Sequence, residues 1–259
     1  MLLRELAIAQ VITFALVMTR LAGFVAVSPF PGSQIPMSAR VGLTIMLAWV
    51  ASMFAPSYAA PTELGPKLVG AIATELACGI MMAFTYQIIV SAADIVGSAL
   101  AEATGLNSAR TFDPSRGSEQ SSAATLVTTL AMLLALSVGA HRIALGYLLE
   151  SFRALPVGTH LDIGATAKSF VDLTAASIGV GVRLSMPLVA VHLIVQFALA
   201  LVARAAPALQ IFSVGFGVMM ASGAMVFLAS INDIARGFLA HYASLGSYLD
   251  KILLIASGQ

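Results

Sequence analysis

A row of polar side chains follows one face of a predicted helix in the first half of the chain. The row consists of Gln87, Ser91, Asp94, Ser98 and Glu102, which follow one another at intervals of four, three, four and four residues. This spacing places all of them on the same side of an α-helix. Amide, hydroxyl and carboxylate groups aligned in this way can hydrate a path for ions or for a polar chain. The pattern predicts a channel-lining face, and the alternative is a hydrogen-bonding seam buried between helices.

The row leads directly into the longest polar interval of the sequence, residues 97–122. The glycines, the proline and the asparagine of this interval are typical of turns, and its charges set it apart from the apolar segments on both sides. A membrane protein leaves such a stretch on its surface or uses it to line or close a water-filled path. Which of the two applies decides what the chain does.

The sequence contains no constellation of residues for catalysis or metal binding. It has no G-x-S-x-G, H-E-x-x-H, P-loop or dinucleotide-binding motif, so we expect neither an enzyme nor a cofactor. The four histidines are not spaced for a helical metal pair, and the single cysteine, Cys78, excludes a disulfide framework. A formal net charge of +1 does not suit a nucleic-acid partner, which requires clustered Lys and Arg.

The composition indicates the environment of the helices that must position these residues. Of the 259 residues, 59% are hydrophobic and 10% are charged. Soluble domains carry about 25% charged residues, which this chain cannot match. We therefore expect an integral membrane protein or a subunit buried in a larger assembly.

Apolar segments of helical pattern follow one another along the whole chain and predict an all-α fold with six or seven long helices. The first segment resembles a signal peptide, but its apolar character resumes after Arg20, so we expect an uncleaved helix that ends at Pro29. The third segment is one very long helix without proline, and the fifth is amphipathic. The segments cover residues 6–27, 41–60, 68–104, 123–140, 143–157, 173–203, 205–231 and 233–259.

Several charged residues lie inside the apolar segments: Arg20, Glu75, Asp94, Glu102 and Arg183. A charge at a lipid-facing helix centre costs about 2.5–3.5 kcal/mol on insertion scales, so we expect these side chains to face protein or water. Positive residues are scattered along the chain and give no clear orientation in the membrane.

Two stripes of small residues indicate close contacts between helices. Gly97, Ala101 and Gly105 lie beside the polar row of the long helix. Small residues at such positions allow two helix backbones to approach, as in small-xxx-small motifs of membrane helices. The second stripe, Ser213 with Gly217 and Ala221, recurs every four residues and predicts a packing face.

Four segments, in order along nearly the full length, resemble the FliR family of flagellar biosynthesis proteins and its injectisome counterpart SctT. The first contains Arg20-Leu21-Ala22-Gly23-Phe24, Pro29-Phe30 and the run from Ile35 through Arg40 to Val41. The others are Gly105-Leu106 with Phe112-Asp113-Pro114, Ser151-Phe152 with Leu155-Pro156-Val157-Gly158, and Arg204-Ala205-Ala206-Pro207 with Gln210-Ile211-Phe212-Ser213-Val214-Gly215-Phe216.

The resemblance implies a non-enzymatic subunit of the type III protein export gate in the bacterial inner membrane, at the flagellar basal body. Its partners would be FliP-like and FliQ-like subunits, an FlhB-like switch protein, membrane lipid and unfolded export substrates. Residues 1–104 would form a FliP-like part, and residues 123–259 would include a FliQ-like helical hairpin. Such an assembly lies largely above the membrane plane, which would explain the scattered positive charges.

The resemblance also implies roles for individual residues. The central loop, residues 105–122, would plug the closed channel: Phe112 as a wedge, Asp113-Pro114 as a fixed turn, and Arg110 and Arg116 as charges that repel cations, with Gly117 keeping the loop adaptable. Structure or assembly would depend on motif residues elsewhere, namely Arg20, Arg40, Arg204, Pro207 and Gly215. Many family members carry proline where this chain has Gly217.

Alternatives to this interpretation come from different functional classes. The amino-acid sequence of the Ile211–Phe216 segment favours the flagellar branch of the family. A subunit of an injectisome is the nearest alternative. A small-molecule secondary transporter is a further alternative, and broken helices at matching positions in two halves would favour it. An exposed connecting loop is the alternative to a plug.

Overall fold

The computed structural model describes residues 2–30, 35–53, 65–107, 121–158, 163–205 and 211–257, and these form eight α-helices without a strand in the described ranges. The all-α prediction is therefore confirmed. The helices are α1 (Leu2–Val27), α2 (Met37–Ser52), α3 (Pro66–Ala103), α4 (Ser122–Val138), α5 (Ala140–Ala154), α6 (Ile163–Ala205), α7 (Ile211–Ala243) and α8 (Leu245–Ala256).

Helix α1 runs through Arg20 without a break, as the sequence predicts, and ends just before Pro29. Ser28 closes this end: its backbone N–H donates to the carbonyl of Phe24, and its hydroxyl accepts the N–H of Phe30 at 3.3 Å. The next helix, α2, begins after Pro36 and has 16 residues. It is shorter than the uncharged run 41–60, and about 20 residues are needed to cross a bilayer.

Four helical stretches in the described part of the chain are long and apolar enough to cross a membrane: Ile8–Val27, Pro66–Ala103, Thr166–Ala205 and Val214–Ala256. The pair α4 and α5, which is broken at Gly139, makes a fifth if it is counted as one span. Gly139 has a φ of 77°, a left-handed conformation that glycine adopts without a steric penalty.

Two helices are far longer than a membrane crossing requires. Helix α3 has 38 residues, and α6 has 43 with Pro187 inside it. Because about 20 residues cross the hydrocarbon core, each helix has roughly twice the necessary length. Helix α6 also begins earlier than the apolar run 173–203 indicates, because the polar residues from 163 onward continue its backbone.

The chain divides into two compact units whose segments alternate along the sequence. The first unit contains residues 1–89, 139–174 and 243–259, and the second contains residues 90–138 and 175–242. Helices α1, α2, α5 and α8 belong to the first unit and α4 to the second, while α3, α6 and α7 contribute residues to both.

The core of the first unit forms where α1 crosses α3. A Cβ on Gly23 would lie 2.8 Å from the carbonyl oxygen of Leu76, and a Cβ on Gly79 would overlap the carbonyl oxygen of Arg20. The backbones of α1 and α3 therefore lie so close together that there is no room for a side chain at either glycine. Around this crossing, α2 packs on α1 and α5 packs on α8.

The second unit also depends on glycines at helix crossings. A Cβ on Gly97 of α3 would lie 3.1 Å from the Cα of Ala124 of α4, which confirms the close contact predicted for that stripe. A Cβ on Gly223 of α7 would lie 2.7 Å from the backbone of Ala103. By contrast, Gly217 is exposed and no other atom lies within 4 Å of its Cβ position, so within this chain α7 packs through Gly223 instead.

Candidate functional site

A buried ion pair joins α1 to α3 in the first unit. Arg20 donates from Nε to Oε2 of Glu75 at 2.6 Å and from Nη2 to Oε1 of Glu75 at 3.0 Å. Both side chains are 2% exposed. The planar guanidinium fork matches both carboxylate oxygens, a geometry that lysine cannot reproduce.

The same guanidinium binds the end of α5. Its Nη1 donates to the hydroxyl of Ser151 and its Nη2 to the carbonyl of Leu155, both at 3.0 Å. Its Cζ lies 4.4 Å from the centre of the Phe152 ring. Glu75 completes the network by accepting the backbone N–H of Gly158 at 2.9 Å. We call Arg20, Glu75, Ser151 and the residues 155–158 the Arg20 network.

The Arg20 network brings together two of the segments that carry the family resemblance, the one around Arg20 and the one from Ser151 to Gly158. It satisfies both carboxylate oxygens and uses every guanidinium nitrogen, so neither charge is left unpaired in the interior. Arg20 and Glu75 thus face protein, as predicted for charges in apolar segments. An ion pair that is buried to this extent holds α1, α3 and the end of α5 together. It offers no accessible surface along which ions or a polypeptide could pass.

The polar row of α3 has a different environment. Gln87 and Ser91 are half-buried, whereas Asp94, Ser98 and Glu102 are exposed. Arg183 of α6 is exposed as well. The row is therefore open to water, lipid or another subunit toward its C-terminal end, and its channel-lining role stays a prediction.

The ends of the central loop are anchored in the second unit. At the end of α3, the side-chain amide of Asn107 donates to the carboxylate of Glu102, and Gly105 adopts a φ of 71° against Phe216 and Met219 of α7. At the start of α4, the hydroxyl of Ser121 accepts the N–H of Ala124 at 3.3 Å, as an N-capping residue does. The proposed plug residues Arg110, Phe112, Asp113, Pro114, Arg116 and Gly117 lie outside the described residues.

The remaining candidate residues are not brought together at one site. Arg40 is half-buried in α2, and its carbonyl accepts the hydroxyl of Thr44 at 2.8 Å. Arg204 is exposed near the end of α6, and Pro207 lies outside the described residues. Gly215 is buried in α7, where its Cβ position lies 3.4 Å from the Leu199 side chain. Their proposed roles in assembly stay predictions.

Sequence reasoning did not include several members of the Arg20 network among the site residues. The sequence marks Glu75 as a charge in an apolar segment and Ser151 as part of a motif, but it does not predict their contacts with Arg20. A usable signal exists, because two opposite charges in apolar segments of one membrane chain satisfy each other best. Gly23 and Gly79 also lie in small-residue repeats, Thr19-xxx-Gly23 and Gly79-xxx-Ala83, a signal of close helix contact that the two predicted stripes leave out.

The described residues contain no group of three metal-ligating side chains. One buried polar pair outside the Arg20 network joins α6 to α7 in the second unit: the hydroxyl of Ser177 lies 3.2 Å from Nε2 of His241. Both side chains are buried. This pair links two helices of the second unit.

Comparison with known sequences gives a consistent result across the chain. Residues 11–245 match the profile of the family described as bacterial export proteins, family 1. The match begins inside α1 and ends at the start of α8, so it includes both compact units and all members of the Arg20 network.

Individual relatives match over nearly the same range. The chain is 26% identical over 239 residues to the flagellar biosynthetic protein FliR of Caulobacter vibrioides, covering 91% of this chain and 95% of that protein. It is 28% identical over 232 residues to FliR of Aquifex aeolicus, covering 89% of this chain and 90% of the relative. For FliR of Escherichia coli, the identity is 26% over 229 residues, which cover 87% of this chain and 86% of the relative.

Proposed function

Because this chain belongs to family 1 of the bacterial export proteins and is a membrane-embedded component of a flagellar export apparatus, we propose that it forms part of the channel wall for unfolded flagellar proteins. It would do so without catalysis, in the inner membrane, together with FliP-like and FliQ-like subunits and near an FlhB-like switch protein. In this proposal the central loop plugs the closed channel.

The observation that supports a channel most directly is the open polar face of α3. Asp94, Ser98 and Glu102 remain exposed, although the stripe beside them packs on α4 through Gly97. Exposed carboxylates within a membrane helix are costly against lipid. A water-filled path shared with partner subunits removes that cost, and a lipid-facing position does not.

The anchoring of the central loop supports the second part of the proposal. Each end of the loop is held by packed or hydrogen-bonded residues of one compact unit, Gly105 and Asn107 at one end and Ser121 at the other. The row of polar residues reaches the loop at Glu102. A loop fixed at both ends beside a hydrated path can close that path without unfolding its supports.

The flagellar branch is favoured over an injectisome because the matched relatives carry the name flagellar biosynthetic protein FliR. Purification of the full chain from its native membrane tests the assembly. We expect FliP-like and FliQ-like subunits to co-purify in fixed ratios. A chain that runs alone and transports a small solute would instead favour the secondary transporter.

Replacement of residues 108–119 by a short Gly-Ser linker tests the plug. We expect the complex to assemble and the cell membrane to become permeable to ions and small solutes, measured by dye uptake and membrane potential. A matched control replaces the proline-rich segment 54–64, which has no role in closure in this proposal, by a linker of the same composition. Normal assembly with unchanged permeability would show that the loop only connects α3 and α4.

A further inference from the structure

A small cavity lies between α2 and α5 in the first unit. Its volume is about 290 Å³, and its lining consists of Ala51, Gly146, Leu149, Glu150, Phe152 and Arg153. We propose that this cavity binds the headgroup of a zwitterionic phospholipid, with the phosphate at Arg153 and a primary ammonium group at Glu150. The proposal does not depend on the channel function.

The two charged residues of the cavity are both accessible to a ligand. Glu150 and Arg153 are exposed and lie about one helical turn apart on α5. In the described part of the chain, neither side chain forms an ion pair or a hydrogen bond, with the other or with any third residue. A headgroup that carries one phosphate and one ammonium group complements both charges at once. An anionic phospholipid would satisfy Arg153 but would be repelled by Glu150.

The exposed side of α5 offers both charged and apolar surface at the cavity. The buried residues of α5 are Ala140, Ala144, Leu148, Ser151 and Phe152, and the opposite side is exposed and carries the charges. This exposed side also contains Leu149, which lines the cavity and is 39% exposed. A lipid bound beside α5 would therefore have its headgroup next to the charges and its acyl chains next to exposed apolar residues such as Leu149.

Two amphipathic aromatic side chains indicate that the cavity lies at the depth of the lipid headgroups in the membrane. Trp49 of α2, the single tryptophan of the chain, is 63% exposed and lies two residues from the cavity residue Ala51. Tyr147 of α5 is next to the cavity residue Gly146, and its hydroxyl donates to the carboxylate of Asp250 at 3.1 Å. Tryptophan and tyrosine concentrate at headgroup level, where an apolar ring meets a polar region.

The size of the cavity suits a small polar group. Its volume of about 290 Å³ is close to the lower end of the volumes of small-molecule sites, roughly 300–1,000 Å³.

Photocrosslinking tests the proposal on the full chain with its co-purifying subunits in nanodiscs. The probe is phosphatidylethanolamine with a photoreactive acyl chain, and the measurement is the yield of probe attached to peptides of α2 and α5. We expect competition by unlabelled phosphatidylethanolamine and about tenfold weaker competition by phosphatidylglycerol, which lacks the ammonium group. Glu150→Gln should remove this preference, and Arg153→Gln should lower the yield with both lipids.

Filling the cavity provides a variant that does not touch the charges. Gly146→Leu should abolish labelling while the protein folds normally, because no atom lies within 4 Å of the Cβ position of Gly146. The matched control is Gly70→Leu, since Gly70 of α3 is equally open. Arg142→Gln is the charge control, because Arg142 is exposed on α5 but does not line the cavity.

Three outcomes would overturn the proposal. One is labelling that Gly146→Leu leaves unchanged, and another is equal competition by the two lipids. The third is probe attached to peptides of a partner subunit and not to those of α2 and α5 in the assembled complex.

Discussion

Gly79 of α3 lies so close to α1 that a Cβ at this position would overlap the carbonyl oxygen of Arg20. The backbone of Arg20 therefore packs on α3 one helical turn from Glu75, the residue that its side chain binds. The close crossing and the ion pair depend on each other, because the fork reaches both carboxylate oxygens only at this separation. Steric and ionic changes at the crossing should therefore both loosen the first unit.

Gly79→Ala is the steric test of the crossing. We expect it to destabilise the chain by about 1–3 kcal/mol or more, because the added methyl group meets backbone that cannot move without shifting a whole helix. Gly70→Ala, on the same helix but with open space at its Cβ position, should behave like the unsubstituted protein. Apparent melting temperatures of the solubilised protein compare the two. Equal melting temperatures would mean that α1 can shift at little cost.

The Arg20 network provides an ionic test. Glu75→Gln and Arg20→Lys each leave a buried charge with fewer partners, and breaking a buried pair costs about 3–5 kcal/mol. The double variant Arg20→Met with Glu75→Met removes both charges, so it should recover part of the melting temperature lost in either single variant. A double variant less stable than both single variants would show that the network's hydrogen bonds to α5 outweigh the cost of burying its charges.

The sequence predicts most helices of this chain, because apolar periodicity and proline positions are local properties. It divides the last two helices near residue 232, whereas α7 continues to Ala243. It predicts the contacts between helices less well. Arg20 and Glu75 are separated by 55 residues, and each pattern shows only that its own charge must avoid lipid. The identity of the partner depends on how α1 crosses α3 at Gly23 and Gly79, which neither charge predicts by itself.

The two stripes of small residues show the same limit. The stripe with Gly97 was correctly predicted to pack, and Ala124 of α4 is its neighbour. The stripe with Gly217 satisfies the same motif, yet Gly217 and Ala221 are exposed within this chain. A helical pattern identifies residues on one face, but it contains no information on which helix, in this chain or in a partner, covers that face.

The open face of α3 gives a functional prediction. Ser98→Leu should place an apolar side chain on the polar row without disturbing the core, because Ser98 is exposed. If the row lines the channel, export of flagellar proteins into the medium should fall several-fold while the complex still assembles. Thr129→Leu is the matched control, since Thr129 is an exposed hydroxyl residue on α4 of the same unit. Equal export by the two variants would show that the export channel does not run along the polar row of α3.

The last prediction compares two glycines of α7 that differ in what surrounds them. A Cβ on Gly223 would lie 2.7 Å from the backbone of Ala103 and 2.9 Å from the backbone nitrogen of Thr104, just before the central loop. Gly223→Ala should therefore push the end of α3 away from α7 and loosen the anchor of the loop. Gly217→Ala adds the same methyl group where no other atom lies within 4 Å.

If the loop is a plug, Gly223→Ala should raise the permeability of the cell membrane to ions, as loop replacement does but to a smaller extent. Gly217→Ala should leave permeability unchanged. Dye uptake reports the leak, and the amount of assembled complex recovered from the membrane reports assembly. A Gly223→Ala complex that assembles fully and stays closed would mean that closure does not depend on where α3 ends. A complex that fails to assemble would assign Gly223 to folding. Gly105→Ala would then test the anchor, because it strains the positive φ of 71° at the start of the loop and brings a Cβ to 3.3 Å from the Met219 side chain.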